Sequence, residues 1–231
     1  MSLLGIAVMY YNGEKISIEH GSIFPNMAIL DYNLLKTLPS YQKKSTLLDS
    51  LCQAIESYWS IGATNDSKKY SKQCISLILK NYKDYIENKY GSYKEIIEAS
   101  NYSGKAINIS KTTAAHAMSY KITTMYNISH GHSVALCIIP IWKLLVEKAK
   151  EDVKPKNVLL EIANIFGTDD INDSIKIFES IFNQFNLPKI HIREQDLSVL
   201  VNSVNIERMN NNPVIFNQRD IFNLYKNINN N

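Results

Sequence analysis

The stretch TLLDSLCQAIESYW, residues 46–59, indicates the fold class of this chain. Its apolar residues recur at three- and four-residue spacing, at Leu48, Leu51, Ile55 and Tyr58, as on one face of a helix. Asp49, Gln53 and Glu56 form a polar line beside them, because side chains three or four residues apart share a helix face. An apolar helix with one polar line is typical of a helix beside an interior polar or metal site.

Similar patterns continue along the chain and predict further helices. Their ranges are about 65–88, 93–109, 113–126, 130–150, from Pro155 onward, 172–185, 195–204 and 219–228. Ahead of them, Ile6 to Tyr11 and Lys15 to His20 have strand patterns around the turn Asn12-Gly13. We therefore predict a mainly α fold, a helical bundle with a short N-terminal β-hairpin.

Composition narrows the function classes. A net charge of +3 over 231 residues is too small to indicate nucleic acid or an anionic membrane as a partner. The apolar run from Val134 to Val146 is interrupted by Pro140 and Lys143 and is too short to span a bilayer. Three cysteines without paired spacing favour a reducing compartment. We expect a cytoplasmic protein with no nucleic-acid or membrane partner.

Three histidines cluster in the sequence, His116, His130 and His132. His116 lies in an alanine-rich helical segment, and His130 begins the next helix after a short turn, so we expect their imidazoles to lie close together. With Asp49 they offer two imidazoles and one carboxylate, a set that leaves positions open on Fe(II) or Zn(II). The residue types also allow a structural reading, in which Asp49 is a satisfied polar residue and His130 starts a helix.

Two segments resemble the metal-binding helices of the iron-containing (group III) alcohol dehydrogenases. They are DSLCQAIESYWS, residues 49–60, and the stretch 104–140, which contains GKAINISKTTAAHAMSY and ISHGHSVAL. The family spaces its ligands as Asp, His four later, and two further His fourteen apart. The resemblance implies that a metal, Fe2+ or Zn2+, is bound by Asp49, Gln53, His116 and His130. Gln53 stands where the family has its first His, and Tyr120 stands where it has a further His.

The resemblance also implies a domain organisation. Residues 31–231 would form the all-helical metal-binding domain, of the dehydroquinate synthase-like C-terminal type. Residues 1–30 would be the hairpin remnant of an N-terminal nucleotide-binding domain that is absent from this chain. No glycine-rich phosphate loop is seen, so the cofactor-binding residues are unknown and NAD(P)H would require that absent domain. We expect the isolated chain to be inactive.

Within the family, several segments look most like the phosphonoacetaldehyde reductases, among them LCQAIESYWS and VNIERMNNNP, residues 204–213. This likeness implies NAD(P)H-dependent reduction of a small phosphonate-bearing aldehyde to its alcohol. Lys105 and Lys111 are candidate phosphonate-binding cations, or else solvent-exposed lysines. His132 is a candidate phosphonate donor or a residue behind the metal ligands, or else structural.

Two further expectations concern the chain as a whole. The hairpin leaves unpaired backbone groups at its edges, so we expect a homo-oligomer in which it takes part. The alternative to a catalytic domain is a non-catalytic, truncated helical domain that acts as an interaction module.

Overall fold

The computed structural model of the protein describes residues 6–11, 14–150 and 152–228. Two strands come first, β1 (Ile6–Tyr11) and β2 (Glu14–Glu19). They pair antiparallel, from Ile6 opposite Glu19 to Tyr11 opposite Glu14. The predicted turn residues Asn12 and Gly13 lie outside the described residues.

The rest of the described chain is mainly helical, as predicted. The α-helices are α1 (Ser40–Trp59), α2 (Asn65–Ile86), α3 (Ser92–Ser110), α4 (Ala114–Tyr126), α5 (His130–Lys148), α6 (Val153–Ile165), α7 (Ile171–Gln184), α8 (Leu197–Asn202), α9 (Ile206–Asn210) and α10 (Gln218–Ile228). Short 3₁₀ helices cover Gly21–Ile23, Tyr32–Thr37 and Glu194–Asp196. Among these helices, none combines the length and apolar character that a membrane crossing requires.

One helix begins well before its predicted start, and one short helix was not predicted. α1 begins at Ser40, directly after Pro39, whereas the apolar period is visible only from Thr46. The first turn of α1 is polar, so it shows no period, although a proline commonly precedes or opens a helix. The five-residue helix α9 was not predicted, because so short a helix contains too little sequence for a 3.6-residue period.

The central element is α1, which packs against α2, α3, α5 and α6. Leu48, Leu51 and Ile55, the predicted apolar face, are completely buried. Near the end of α1, Trp59 meets Trp142 of α5 edge to face, with ring centroids 5.7 Å apart. This packing places the polar line of α1 beside α4 and α5.

The passage from α3 to α4 is held by hydrogen bonds from distant parts of the chain. Ser57 and Ser110 hydroxyls lie 2.6 Å apart. The side-chain nitrogen of Asn211 donates to the carbonyls of Ser110 and Thr112, at 2.8 and 3.1 Å. Because backbone carbonyls in a buried turn need partners, these bonds fix where α4 begins and therefore where its first residues point.

Candidate metal centre

Three predicted ligands from three helices converge. Asp49 comes from the middle of α1, His116 from the first turn of α4, and His130 from the first residue of α5. One potential ligand atom from each lies within 4.8 Å of the other two. Oδ1 of Asp49 is 3.4 Å from Nε2 of His116 and 3.8 Å from Nε2 of His130. The fold therefore brings together residues that are 67 and 81 positions apart from Asp49 in the chain.

This cluster fits a divalent metal ion. Nε2 of His116 is buried and has no hydrogen-bond partner among the described residues. A buried polar atom left in this way is costly, and a metal ion would satisfy it. Two imidazoles and one carboxylate suit Fe2+ or Zn2+. The side chain of His130 is 33% exposed, so the cluster is reachable from solvent on that side.

Gln53, the fourth predicted ligand, lies next to the cluster and orients Asp49. Its Nε2 donates to Oδ2 of Asp49 at 3.0 Å. Its Oε1, the atom that would coordinate a metal, accepts from the hydroxyl of Ser103 at 3.0 Å. The structure thus places Gln53 behind a ligand, and direct coordination by Gln53 stays a prediction.

Glu56 is a site residue that the sequence marked only as the third member of the polar line. Its side chain is fully buried. Oε1 accepts from the hydroxyl of Thr113 at 2.6 Å and from the amides of Thr113 and Ala115 at 3.1 and 2.8 Å. α4 has no side-chain cap of its own at Thr113. Glu56 supplies that cap from α1, and its negative charge suits a helix N-terminus.

The second oxygen of Glu56 holds His116. Oε2 contacts Nδ1 of His116, which directs Nε2 towards Asp49 and His130. Burial lowers the pKa of His116, but Glu56 and Asp49 outweigh it and raise that pKa to about 9. Burial also raises the pKa of Glu56, and its contacts with His116 and α4 bring it below its ordinary value. Glu56 is therefore a carboxylate that receives the Nδ1 proton of His116, as partners of metal-binding histidines usually do.

Replacing Glu56 by Gln tests this arrangement. In Glu56→Gln the amide oxygen can still cap α4, but the amide nitrogen then faces Nδ1 of His116. That favours the tautomer with a proton on Nε2, and a protonated Nε2 has no lone pair with which to bind a metal. We expect zinc affinity, measured by calorimetry, to fall about 10- to 100-fold.

The matched control is Thr113→Val, which removes one donor to Glu56 and leaves the contact with His116. This control is expected to lose stability and to keep its zinc affinity. Unchanged zinc affinity in Glu56→Gln would show that Glu56 serves only as a helix cap.

A tyrosine and an arginine lie beside the cluster. The ring of Tyr120 stacks on His130, with centroids 5.4 Å apart and planes 11° apart. Arg208 of α9 donates from Nη1 to the hydroxyl of Tyr120, and its guanidinium carbon is 5.1 Å from the centroid of that ring. Arg208 could not be identified as a neighbour of the cluster from the sequence, because nothing in its local pattern relates it to His130.

The two lysines predicted to bind phosphonate, Lys105 and Lys111, lie in two different settings on α3 and at its end. Nζ of Lys105, on α3, is 5.7 Å from the ring centroids of Tyr70 and Tyr102. Lys111 caps α3 with a positive φ of 64°, and its Nζ donates to the carbonyl of Asn108 at 3.3 Å. Neither belongs to the three-residue ligand cluster, and a substrate contact by either stays a prediction.

His132, the other candidate phosphonate donor, lies in buried surroundings. Its side chain is buried, and its ring packs against Tyr41 and Phe182. The hydroxyl of Tyr41 accepts from the amide of Ser129 at 3.0 Å and lies 3.2 Å from Nδ1 of His132. Burial lowers the pKa of His132 to about 4, so the ring is neutral at physiological pH. These surroundings favour the structural alternative for His132, and a contact with substrate stays a prediction.

Comparison with known proteins shows the family of this chain. Residues 43–229 match the family model of the C-terminal part of the Fe-containing alcohol dehydrogenases. The 4-hydroxybutyrate dehydrogenase of Clostridium kluyveri is 28% identical over 234 residues, which are 96% of this chain and 62% of that protein. The phosphonoacetaldehyde reductase of Streptomyces viridochromogenes is 28% identical over 134 residues, 57% of this chain and 33% of that protein.

Solved structures show the same fold. An iron-containing alcohol dehydrogenase from Thermococcus thioreducens superposes with a TM-score of 0.90 at 21% identity, over 98% of this chain and 61% of that one. The sulfoacetaldehyde reductase of Bifidobacterium kashiwanohense, solved with NAD+, gives a TM-score of 0.83 at 24% identity. The match covers 97% of this chain and 60% of that one. The chain thus spans about three fifths of the length of several of these relatives. It belongs to the Fe-containing alcohol dehydrogenase family and corresponds to the family's C-terminal domain.

Proposed function

We propose that this chain is the metal-binding catalytic domain of an NAD(P)H-dependent oxidoreductase that interconverts an aldehyde and an alcohol. The observation that carries the proposal is the convergence of Asp49, His116 and His130 at one point. There Nε2 of His116 is buried and has no hydrogen-bond partner among the described residues. Membership in the Fe-containing alcohol dehydrogenase family supports it.

Each residue of the centre has a distinct part in this proposal. When bound, Fe2+ or Zn2+ supplies Lewis acidity towards the substrate oxygen. Asp49 and His116 are ligands held in place, Asp49 by Gln53 and His116 by Glu56. His130 is the ligand nearest to solvent, and Tyr120 covers one face of its ring. Positioned ligands of this kind avoid reorganisation during the reaction.

The nicotinamide cofactor is proposed to bind mainly outside the helical domain. The C. kluyveri and T. thioreducens proteins extend beyond the part that this chain matches, and that extra length is where we place the dinucleotide site. In this proposal residues 1–30 belong with the nucleotide-binding part and residues 31–231 form the metal-binding domain. The chain alone would then have no turnover.

The substrate is proposed to be a short aldehyde with an anionic group. Phosphonoacetaldehyde is one member of this class, and the named substrate of the C. kluyveri relative, 4-hydroxybutyrate, is an alcohol carrying a carboxylate. Sulfoacetaldehyde, named for one structural relative, carries a sulfonate. Since the C. kluyveri relative covers more of this chain, the broader class is favoured over phosphonoacetaldehyde alone.

A chimeric enzyme tests the proposal. The unmatched N-terminal part of the C. kluyveri enzyme is fused ahead of this chain, and the protein is loaded with Fe2+ without oxygen. We expect NAD(P)H oxidation with 4-oxobutanoate or phosphonoacetaldehyde, and none from the original chain. A soluble, iron-loaded chimera without turnover on either aldehyde would favour a non-catalytic helical domain.

A further inference from the structure

The element that carries Arg208 is firmly anchored beside the metal centre. The side chain of Asn205 caps α9 by accepting from the amide of Arg208 at 3.1 Å. Met209 is buried in the core. Asn211, just past α9, accepts from the amide of Ile61 at 3.0 Å and also bonds the α3–α4 passage. The backbone at Arg208 therefore has a fixed position relative to α4, which carries His116.

The side chain of Arg208 is oriented by Tyr120. Its guanidinium donates to the Tyr120 hydroxyl and lies against the ring that stacks on His130. Arg208 is partly exposed, as is His130. A cation thus stands one aromatic ring away from the most accessible metal ligand. The ring centroids of His130 and Tyr120 are 5.4 Å apart, and the guanidinium carbon of Arg208 is 5.1 Å from the centroid of Tyr120.

We infer that Arg208 binds the anionic group of the substrate and is a specificity-determining residue, an inference that rests on the proposed function. A guanidinium has five N–H donors in a planar fork that matches a carboxylate or a phosphonate, so it can serve more than one acceptor. The substrate oxygen lies at the metal centre and its anionic end reaches Arg208. Tyr120 acts as the positioning residue that holds the guanidinium at this distance.

Paired ligands test this role without requiring turnover. The zinc-loaded chain is titrated with 4-hydroxybutanoate and with the neutral 1,4-butanediol, and binding is followed by heteronuclear NMR. Wild type is expected to prefer the anionic ligand. Arg208→Met should lose at least about ten-fold of this preference, the size expected for hydrogen bonds to a charged group. Arg208→Lys should keep part of it, because it retains the charge but not the fork.

The controls separate this inference from the proposed function. Arg219→Met removes an arginine from α10 and should keep the wild-type preference. Zinc affinity should be the same in all four proteins, and failure of wild type to bind zinc would count against the metal centre itself. Zinc binding with equal affinity for both ligands in wild type, no binding of 4-hydroxybutanoate, or an unchanged preference in Arg208→Met would overturn the role of Arg208.

Discussion

His116→Ala is expected to abolish stoichiometric metal binding. The substitution removes one of the three proposed ligands, and Nε2 of His116 is buried without a hydrogen-bond partner among the described residues. Removing a direct ligand should lower metal affinity by more than the roughly 10- to 100-fold that is typical when a residue hydrogen-bonded to a ligand is replaced. Metal analysis after dialysis against zinc, together with calorimetry, measures this effect.

The matched control for this experiment is His191→Ala, because His191 is exposed. It should bind zinc as wild type does. Equal zinc content in His116→Ala and His191→Ala would contradict the assignment of His116.

Gly131→Ala is expected to destabilise the fold and weaken the metal centre together. A Cβ at residue 131 would lie 2.0 Å from the carbonyl oxygen of Ser45 and 2.8 Å from Cβ of Asp49. Both atoms belong to α1, so α5 would have to move away from α1 and would carry His130 with it. Overpacking of this kind typically costs about 1–3 kcal/mol, and a clash with backbone places this site at the upper end.

Chemical denaturation of the metal-free proteins measures the free energy of unfolding, and calorimetry measures the zinc affinity. Gly91→Ala is the control, since a Cβ at Gly91 meets nothing within 4 Å. It should leave both properties unchanged. A Gly131→Ala protein as stable as wild type would mean that α1 and α5 do not approach as closely as described.

The three converging residues could be identified as candidates from local sequence patterns. Asp49 interrupts an apolar helix, and His116 and His130 begin two consecutive helices joined by a short turn. Helical period and spacing therefore offer one carboxylate and two imidazoles as candidates, and the resemblance to the iron-containing alcohol dehydrogenases is what selects them as a metal site. The turn residue Asn127, with a φ of 49°, completes the reversal that sets the two imidazole centroids 5.3 Å apart.

The sequence left three roles open for His132, and helix geometry favours the structural one. Two residues along a helix rotate a side chain by about 200°, so His132 points away from the face that carries His130. It enters the core against Tyr41 instead. The helical period thus separates His132 from the face of His130, and a substrate role for His132 stays a prediction.

The contacts of Glu56 and Arg208 could not be predicted from the local sequence. The role of Glu56 depends on the start of α4 docking on α1, 57 residues later in the chain. Arg208 reaches Tyr120 across 88 residues, from a helix too short to show a period. Both roles arise from tertiary packing, so only the three-dimensional arrangement reveals them.

The most direct test of the metal centre is an anomalous difference map from crystals of the zinc-loaded chain, recorded at the zinc absorption edge. A single strong peak is predicted between Asp49, His116 and His130, with Nε2 of each histidine at about 2.0–2.1 Å. A stoichiometrically loaded crystal with its peak elsewhere, or with His116 turned away from the ion, would contradict the account.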